Sequence, residues 1–177
     1  MDGPDHVDEL LARWAIERPD LDTSPVAIFA RVTRAAIAVD RVMADVFSPL
    51  GLNRGEFDVL VSLRRAGPPY RLNPTQLAGS LLVTSGAMTN RVDRLERAGL
   101  VARRTDPGDR RGVPVELTAG GKDLADRALE ALVARERELL DDAGIETLEL
   151  ARELRRLLSA LEARLVAPTD VGSNVAP

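Results

Sequence analysis

The stretch from Asn73 to Thr118 constrains this chain more than any other. It reads NPTQLAGSLLVTSGAMTNRVDRLERAGLVARRTDPGDRRGVPVELT. Asn73 is placed to cap a short helix, Pro74 suits its first turn, and Leu77, Leu81 and Leu82 lie close to one face. A second helix starts at Thr84 or Ser85, either of which can accept the orphan N–H groups, and stops at Gly99, which can adopt the left-handed conformation past a helix end. After Leu100 the run LVARR suits a strand, DPGD signals a turn, and GVPVELT alternates as a returning strand. Helix, turn, helix, strand, Arg-rich loop, strand is the order of a winged helix-turn-helix.

At about 100° per residue, Met88, Val92, Leu95 and Gly99 fall on one side of the second helix. Gly86, Asn90, Asp93 and Arg97 fall opposite, with Thr89 and Arg94 beside them. One side packs and the other is free to read a major groove, into which the N-terminal end of a recognition helix usually enters. Thr89 suits a thymine methyl, Asn90 an adenine edge and Arg94 a guanine edge. Ser85 stands where the helix dipole favours a phosphate. Asp109, Arg110 and Arg111 lie at the far side of the wing loop, and an Arg at such a tip suits a narrow minor groove. Against this, Asp93 and Glu96 repel phosphates, and Arg on a helix surface is usually a solvated face; the wing tips the balance toward double-stranded DNA.

Net charge is −4, which argues at first against nucleic acid. The distribution reverses that inference, because residues 54–111 carry 11 basic and 6 acidic groups between two flanks that are each net acidic. The chain has no Cys, so it has no disulfide, thiol sensor or thiolate metal site. Its single His6 has no His or Cys companion, so neither a metal nor another cofactor is expected. An enzyme needs a nucleophile with a base, or a metal cluster, and neither pattern is present. No apolar run approaches the roughly 20 residues of a membrane span, and MDGPDHVDEL is acidic where a signal peptide is basic. A cytoplasmic location is expected, with no membrane partner.

The flanks read as helices. Residues 7–18 place Val7, Leu10, Leu11, Trp14 and Ile16 in a short amphipathic helix, and Pro25 opens a long one reaching about Leu50. Asn53 caps a third, in which Asp58 sits among Phe57, Val59, Leu60, Val61 and Leu63 and needs a partner. Thr118 is positioned to cap a helix from about Ala119 to Asp142, and Gly144 separates it from another running from about Glu146 to Val166. Their Leu content exceeds what one small domain buries, which implies a dimer interface shared with the N-terminal helices. The expected division is 1–52 for N-terminal dimerisation helices, 53–118 for the DNA-binding unit, 119–166 for C-terminal dimerisation helices and 167–177 for a disordered tail. The fold class is mainly α with a small β-wing.

Together with this order, GEFDVL, TSGAMTNRVDRLERAGLV and DPGDRRGVPVELTAGGK resemble the MarR (multiple-antibiotic-resistance regulator) family over most of residues 25–165. A narrower likeness is to its urate-responsive subgroup, whose members carry an extra N-terminal helix with a Trp. That resemblance implies a ligand set of Trp14, Asp58, Arg91 and Arg103, and a small anionic effector such as urate, another purine or a phenolic acid that releases the DNA. From the residues alone, Arg91 falls at the edge of the packed face and can turn inward, and Arg91 or Arg103 is a candidate partner for Asp58. A Trp such as Trp14 is more often a core anchor than a ligand contact, and an Asp–Arg pair is more often structural than a switch. The expectation is a homodimeric repressor on a pseudo-palindromic operator; the alternatives are a ligand-independent winged-helix regulator or a protein-interaction module.

Overall fold

The computed structural model describes residues 3–104 and 113–166. Asp109, Arg110, Arg111 and the 167–177 segment lie outside the described residues. The elements are α1 (His6–Glu17), α2 (Ser24–Phe47) closed by a 3-10 turn at Ser48–Leu50, α3 (Arg54–Arg65), β1 (Arg71–Leu72), α4 (Pro74–Ser80), α5 (Ser85–Arg97), β2 (Val101–Arg103), β3 (Val115–Leu117), α6 (Ala119–Asp142) and α7 (Thr147–Val166). No helix among them is long and apolar enough to cross a membrane.

Local chemistry explains most of the boundaries. Asp5 caps α1 by accepting the Val7 and Asp8 N–H groups, and the Asp8 carboxylate returns to the Asp5 N–H. Asn53 and Glu56 form the same reciprocal box on α3. Thr118 caps α6 by accepting the Gly121 N–H at 3.0 Å, while its hydroxyl donates to the Gly99 carbonyl at 2.8 Å. Between α3 and α4 the chain makes a strand that alternation does not reveal: β1 is two residues long, pairs antiparallel with β3, and gives the sheet the order β1-β3-β2. Glu116 on the central strand takes Arg71 from β1 and lies 3.9 Å from Arg104. Two residues are too few for a period-two signal, so this stretch reads as a connector.

The core of residues 3–135 sits where α2, α3, α4, α5 and the sheet meet. Phe47, Leu60, Leu63, Leu77, Met88, Val92, Leu95 and Val115 are fully buried, and the Phe47 and Phe57 rings stack with centroids 4.4 Å apart. Such a pair adds roughly 0.5–1.5 kcal/mol beyond its buried area. One expected apolar position fails: Leu77 is buried, but Leu82 has left α4, takes a φ of 52° and is 94% exposed. On α1 and α2, Trp14, Ile16, Ile28, Phe29 and Ile37 are exposed. In residues 136–166, Leu148, Leu154, Leu158, Leu161 and Leu165 of α7 are exposed as well.

Arg31 of α2 fastens α1 by bonding both members of its capping box, Asp5 (2.8 Å) and Asp8 (2.7 Å). The Asp5 carboxyl is drawn from 3.8 down to about 2, first by the Arg31 hydrogen bond and then by the Asp8 N–H. Because the folded value is depressed, this contribution is complete above about pH 4 and is lost as the pH falls toward 2. Trp14 on α1 is the chain's single Trp and so reports the docking. Its emission is expected to shift between pH 4 and pH 2 in the native protein, and an Arg31→Ala variant is expected to show the acid-type spectrum already at pH 7. Identical spectra for the two proteins at pH 7 would contradict this.

Candidate nucleic-acid interface

The free face of α5 is laid out as the residue spacing predicts. Thr84 caps the helix by accepting the Ala87 N–H at 3.2 Å, and Met88, Val92 and Leu95 are buried beneath it. Ser85, Gly86, Thr89, Asn90 and Arg94 are exposed. The Thr89 hydroxyl donates to the Ser85 carbonyl at 3.0 Å, so its methyl is the group left for an apolar base edge. A Cβ at Gly86 would meet nothing within 4 Å. Packing within the chain therefore does not require glycine there, although glycine costs roughly 0.5–1 kcal/mol relative to Ala inside a helix.

The acidic residues that argue against phosphate contact are both engaged within the chain by one guanidinium. Arg103 on β2 reaches back to α5 and bonds both Asp93 and Glu96, while its own backbone N–H donates to Glu96 at 3.0 Å. The Asp93 hydrogen bond, ahead of that from Glu96, raises the Arg103 pKa against a smaller opposing effect of burial. This clamp ties the helix to the first strand of the wing. Arg94 is also held: its Nε lies 2.8 Å from Oε1 of Glu56 on α3, whose Oε2 accepts the Asn53 N–H. Glu56 is only 4% exposed. The helix-capping carboxylate of α3 thus doubles as a support for Arg94, a role the Asn53-x-x-Glu56 spacing shows as a cap but not as a tertiary contact.

The four residues implied as a ligand set each have their own neighbours. Trp14 lines a groove of about 330 Å³ with His6, Glu9, Leu10, Arg13 and Glu17, all from α1. Asp58 has a partner, as its surroundings require, but it is Arg54 at 3.1 Å, one helical turn away, and neither Arg91 nor Arg103. The i,i+4 spacing makes that pairing local and available without any tertiary contact. Arg54 also reaches Asp40 at 3.3 Å. Arg103 is occupied by Asp93 and Glu96. Arg91 lies across Gly55, where a Cβ would fall 2.5 Å from its Nε, and it has no carboxylate partner among the described residues. Among the described residues no cluster of His, Cys, Asp and Glu could hold a metal ion.

Comparison with known proteins agrees with this geometry. The sequence model of the MarR family matches residues 52–113, from the start of α3 into the wing. The chain is 38% identical over 160 residues to the HTH-type transcriptional regulator PecS of Dickeya dadantii (strain 3937), covering 90% of this chain and 95% of PecS. Among solved structures, a mutant MarR from Escherichia coli complexed with operator DNA is 30% identical, covers 80% of this chain and 99% of its own, and superposes with a TM-score of 0.65. Sco3205 from Streptomyces coelicolor, 24% identical with a TM-score of 0.74 over 85% of this chain and 96% of its own, shares the fold. With the winged-helix fold in place, the PecS match over nearly the whole length places this chain in the MarR family of winged-helix, DNA-binding transcriptional regulators.

Proposed function

We propose that the chain acts in the cytoplasm as a homodimeric repressor. It binds a pseudo-palindromic operator through α5 and the wing, and a small anionic aromatic or purine effector releases it. The observation that carries the DNA reading is the exposed set Ser85, Gly86, Thr89, Asn90 and Arg94, with Asp93 and Glu96 already matched to Arg103. Arg110 and Arg111, which lie outside the described residues, supply the minor-groove and phosphate contacts in this reading. The exposed apolar residues of α1, α2 and α7 support the dimer, and two-fold symmetry would set the half-sites about 10 bp apart. PecS, a transcriptional regulator, and the operator-bound MarR of Escherichia coli point the same way.

For the effector, Arg91 is the favoured anchor, because Asp58 and Arg103 are paired and Arg91 is not paired to a described carboxylate. An anion on Arg91 sits against the first turn of α3 and one face of the recognition helix. Its binding shifts the helix only if the DNA-bound and free arrangements hold the anion with different affinity. Trp14, Asp58 and Arg103 complete the set by resemblance to the urate-responsive subgroup.

The experiment is a mobility-shift titration on the DNA upstream of the protein's own coding sequence, with and without urate, xanthine and salicylate. The expected result is a shift that one of the three reverses, and that reversal should disappear in Arg91→Ala. Replacing Arg110 and Arg111 together by Ala is expected to remove salt-dependent binding. A shift that none of the three reverses would refute the effector reading and leave the DNA reading standing; binding unaffected by the double Arg replacement would refute the role of the wing.

A further inference from the structure

Among the described residues four helix ends share one pattern and α4 repeats it with a different residue, whereas α1 ends otherwise, at Arg18 with a φ of −137°. After the Ser48–Leu50 turn, α3, α5 and α6, the residue just past the helix end has positive φ, and it is Gly51, Gly67, Gly99 and Gly144 respectively (φ 69°, 75°, 70° and 63°). Three of these ends close with the paired hydrogen bonds of a Schellman motif, as in Leu100 N–H to the Leu95 carbonyl and Gly99 N–H to the Glu96 carbonyl. The end of α4 closes identically, with Val83 N–H to the Ala78 carbonyl at 3.1 Å and Leu82 N–H to the Gly79 carbonyl at 3.4 Å. There the left-handed residue is Leu82, with a φ of 52°. A Cβ in that region crowds the following carbonyl, which is why glycine is preferred.

Among the described residues no contact compensates. Tyr70, the other non-glycine residue with positive φ among those described, has the Arg64 guanidinium 5.2 Å from its ring centroid. Leu82 is 94% exposed. A left-handed backbone at a non-glycine residue is strained, and strain of this kind gathers where a partner is engaged. Leu82 stands two residues before the Thr84 cap, at the turn that leads into the recognition helix, next to the exposed Ser85 and Gly86.

We infer that Leu82 is a DNA-contacting residue, closing on an apolar edge of the operator at the mouth of the major groove. The chemistry that fits is a thymine methyl or the carbon face of a deoxyribose. The inference rests on the DNA-binding reading of α5 and adds to it a side chain outside the helix. It explains why glycine, which suits the backbone better, is absent from this left-handed helix end.

The test uses the full-length protein and a duplex that it selects from a random-sequence library, read by fluorescence anisotropy for Kd and by circular dichroism for Tm. Leu82→Gly is expected to keep or raise Tm and to raise Kd about tenfold, the scale of losing one buried Leu contact. Leu82→Asn, which tolerates the left-handed backbone without apolar reach, is expected to lose the same affinity, and Leu82→Met to recover most of it. If the native protein loses affinity when one thymine is replaced by deoxyuridine and Leu82→Gly is insensitive to that change, the contact is the methyl. If no such replacement matters while Leu82→Gly still binds weakly, it is the sugar. Native-like Kd in both Leu82→Gly and Leu82→Asn would overturn the inference, as would a fall in Tm with no rescue by Leu82→Met. Failure of the native protein to select any duplex would overturn the underlying DNA reading as well.

Discussion

Gly121→Ala is expected to be the most destabilising single methyl addition in the described part of this protein. A Cβ there would fall 1.8 Å from the Leu100 carbonyl oxygen, 2.8 Å from its carbon and 3.2 Å from Cδ2 of Leu117. The first two are backbone atoms and cannot rotate aside. The Leu100 carbonyl already accepts the Thr118 N–H at 3.1 Å, and the Gly121 N–H caps α6 through Thr118, so relieving the clash breaks the junction between β2, β3 and α6. Overpacking a well-filled site typically costs 1–3 kcal/mol, and immovable backbone puts this case at about 3 kcal/mol or more. For a chain of this size that lowers Tm by roughly 6–12 °C. Gly120→Ala is the control: its Cβ would meet only Oγ1 of Thr118 at 3.9 Å, and stability should stay the same or rise slightly. Thermal denaturation followed by circular dichroism separates them, and equal Tm values would show that the α6 junction is not as tight as described.

Arg94→Ala is expected to have the largest effect on DNA recognition. Arg94 is exposed on the reading face yet anchored through Nε to the buried Glu56, so its position is fixed before DNA arrives. Pre-organisation of this kind reduces the rotamer entropy lost on binding. If Arg94 pairs with a guanine edge in each half-site, its removal costs about 1–3 kcal/mol per half-site and relaxes discrimination at that base pair. Glu56→Gln keeps a capping oxygen but releases the guanidinium. It should weaken binding less than Arg94→Ala and leave the base preference unchanged. Affinities for a set of single-base operator variants check both, and an Arg94→Ala protein that loses affinity uniformly at every base pair would reassign Arg94 to a purely supporting contact.

What could be read in the sequence followed from signals confined to a few neighbouring residues. The caps at Asn53 and Thr118, the stop at Gly99 and the packed stripe of Met88, Val92 and Leu95 all rest on local backbone chemistry or helical period, and all appear in the structure. Leu82 escaped because period alone cannot tell where a seven-residue helix ends, and a Leu past the end looks like one more apolar position within it. The partner of Asp58 was misplaced for the opposite reason: a tertiary Arg was sought where the helical neighbour Arg54 sufficed. The Arg103 clamp and the Glu56 support join residues 7 to 38 positions apart, through a β-ribbon and a helix–helix contact. No single-chain pattern encodes which charge meets which across such elements. Asp93 and Glu96 therefore looked like an obstacle to DNA binding, whereas they hold the recognition helix to the wing strand.

The central claim is that α5 is a DNA-reading helix presented twice by a symmetric dimer. Hydroxyl-radical footprinting on a duplex selected by the full-length protein tests that most directly. The predicted result is two equivalent protected patches on one face of the DNA, about one helical turn apart, both weakened in parallel by Asn90→Ala. Uniform protection without periodicity, or a footprint unchanged by Asn90→Ala, would contradict it.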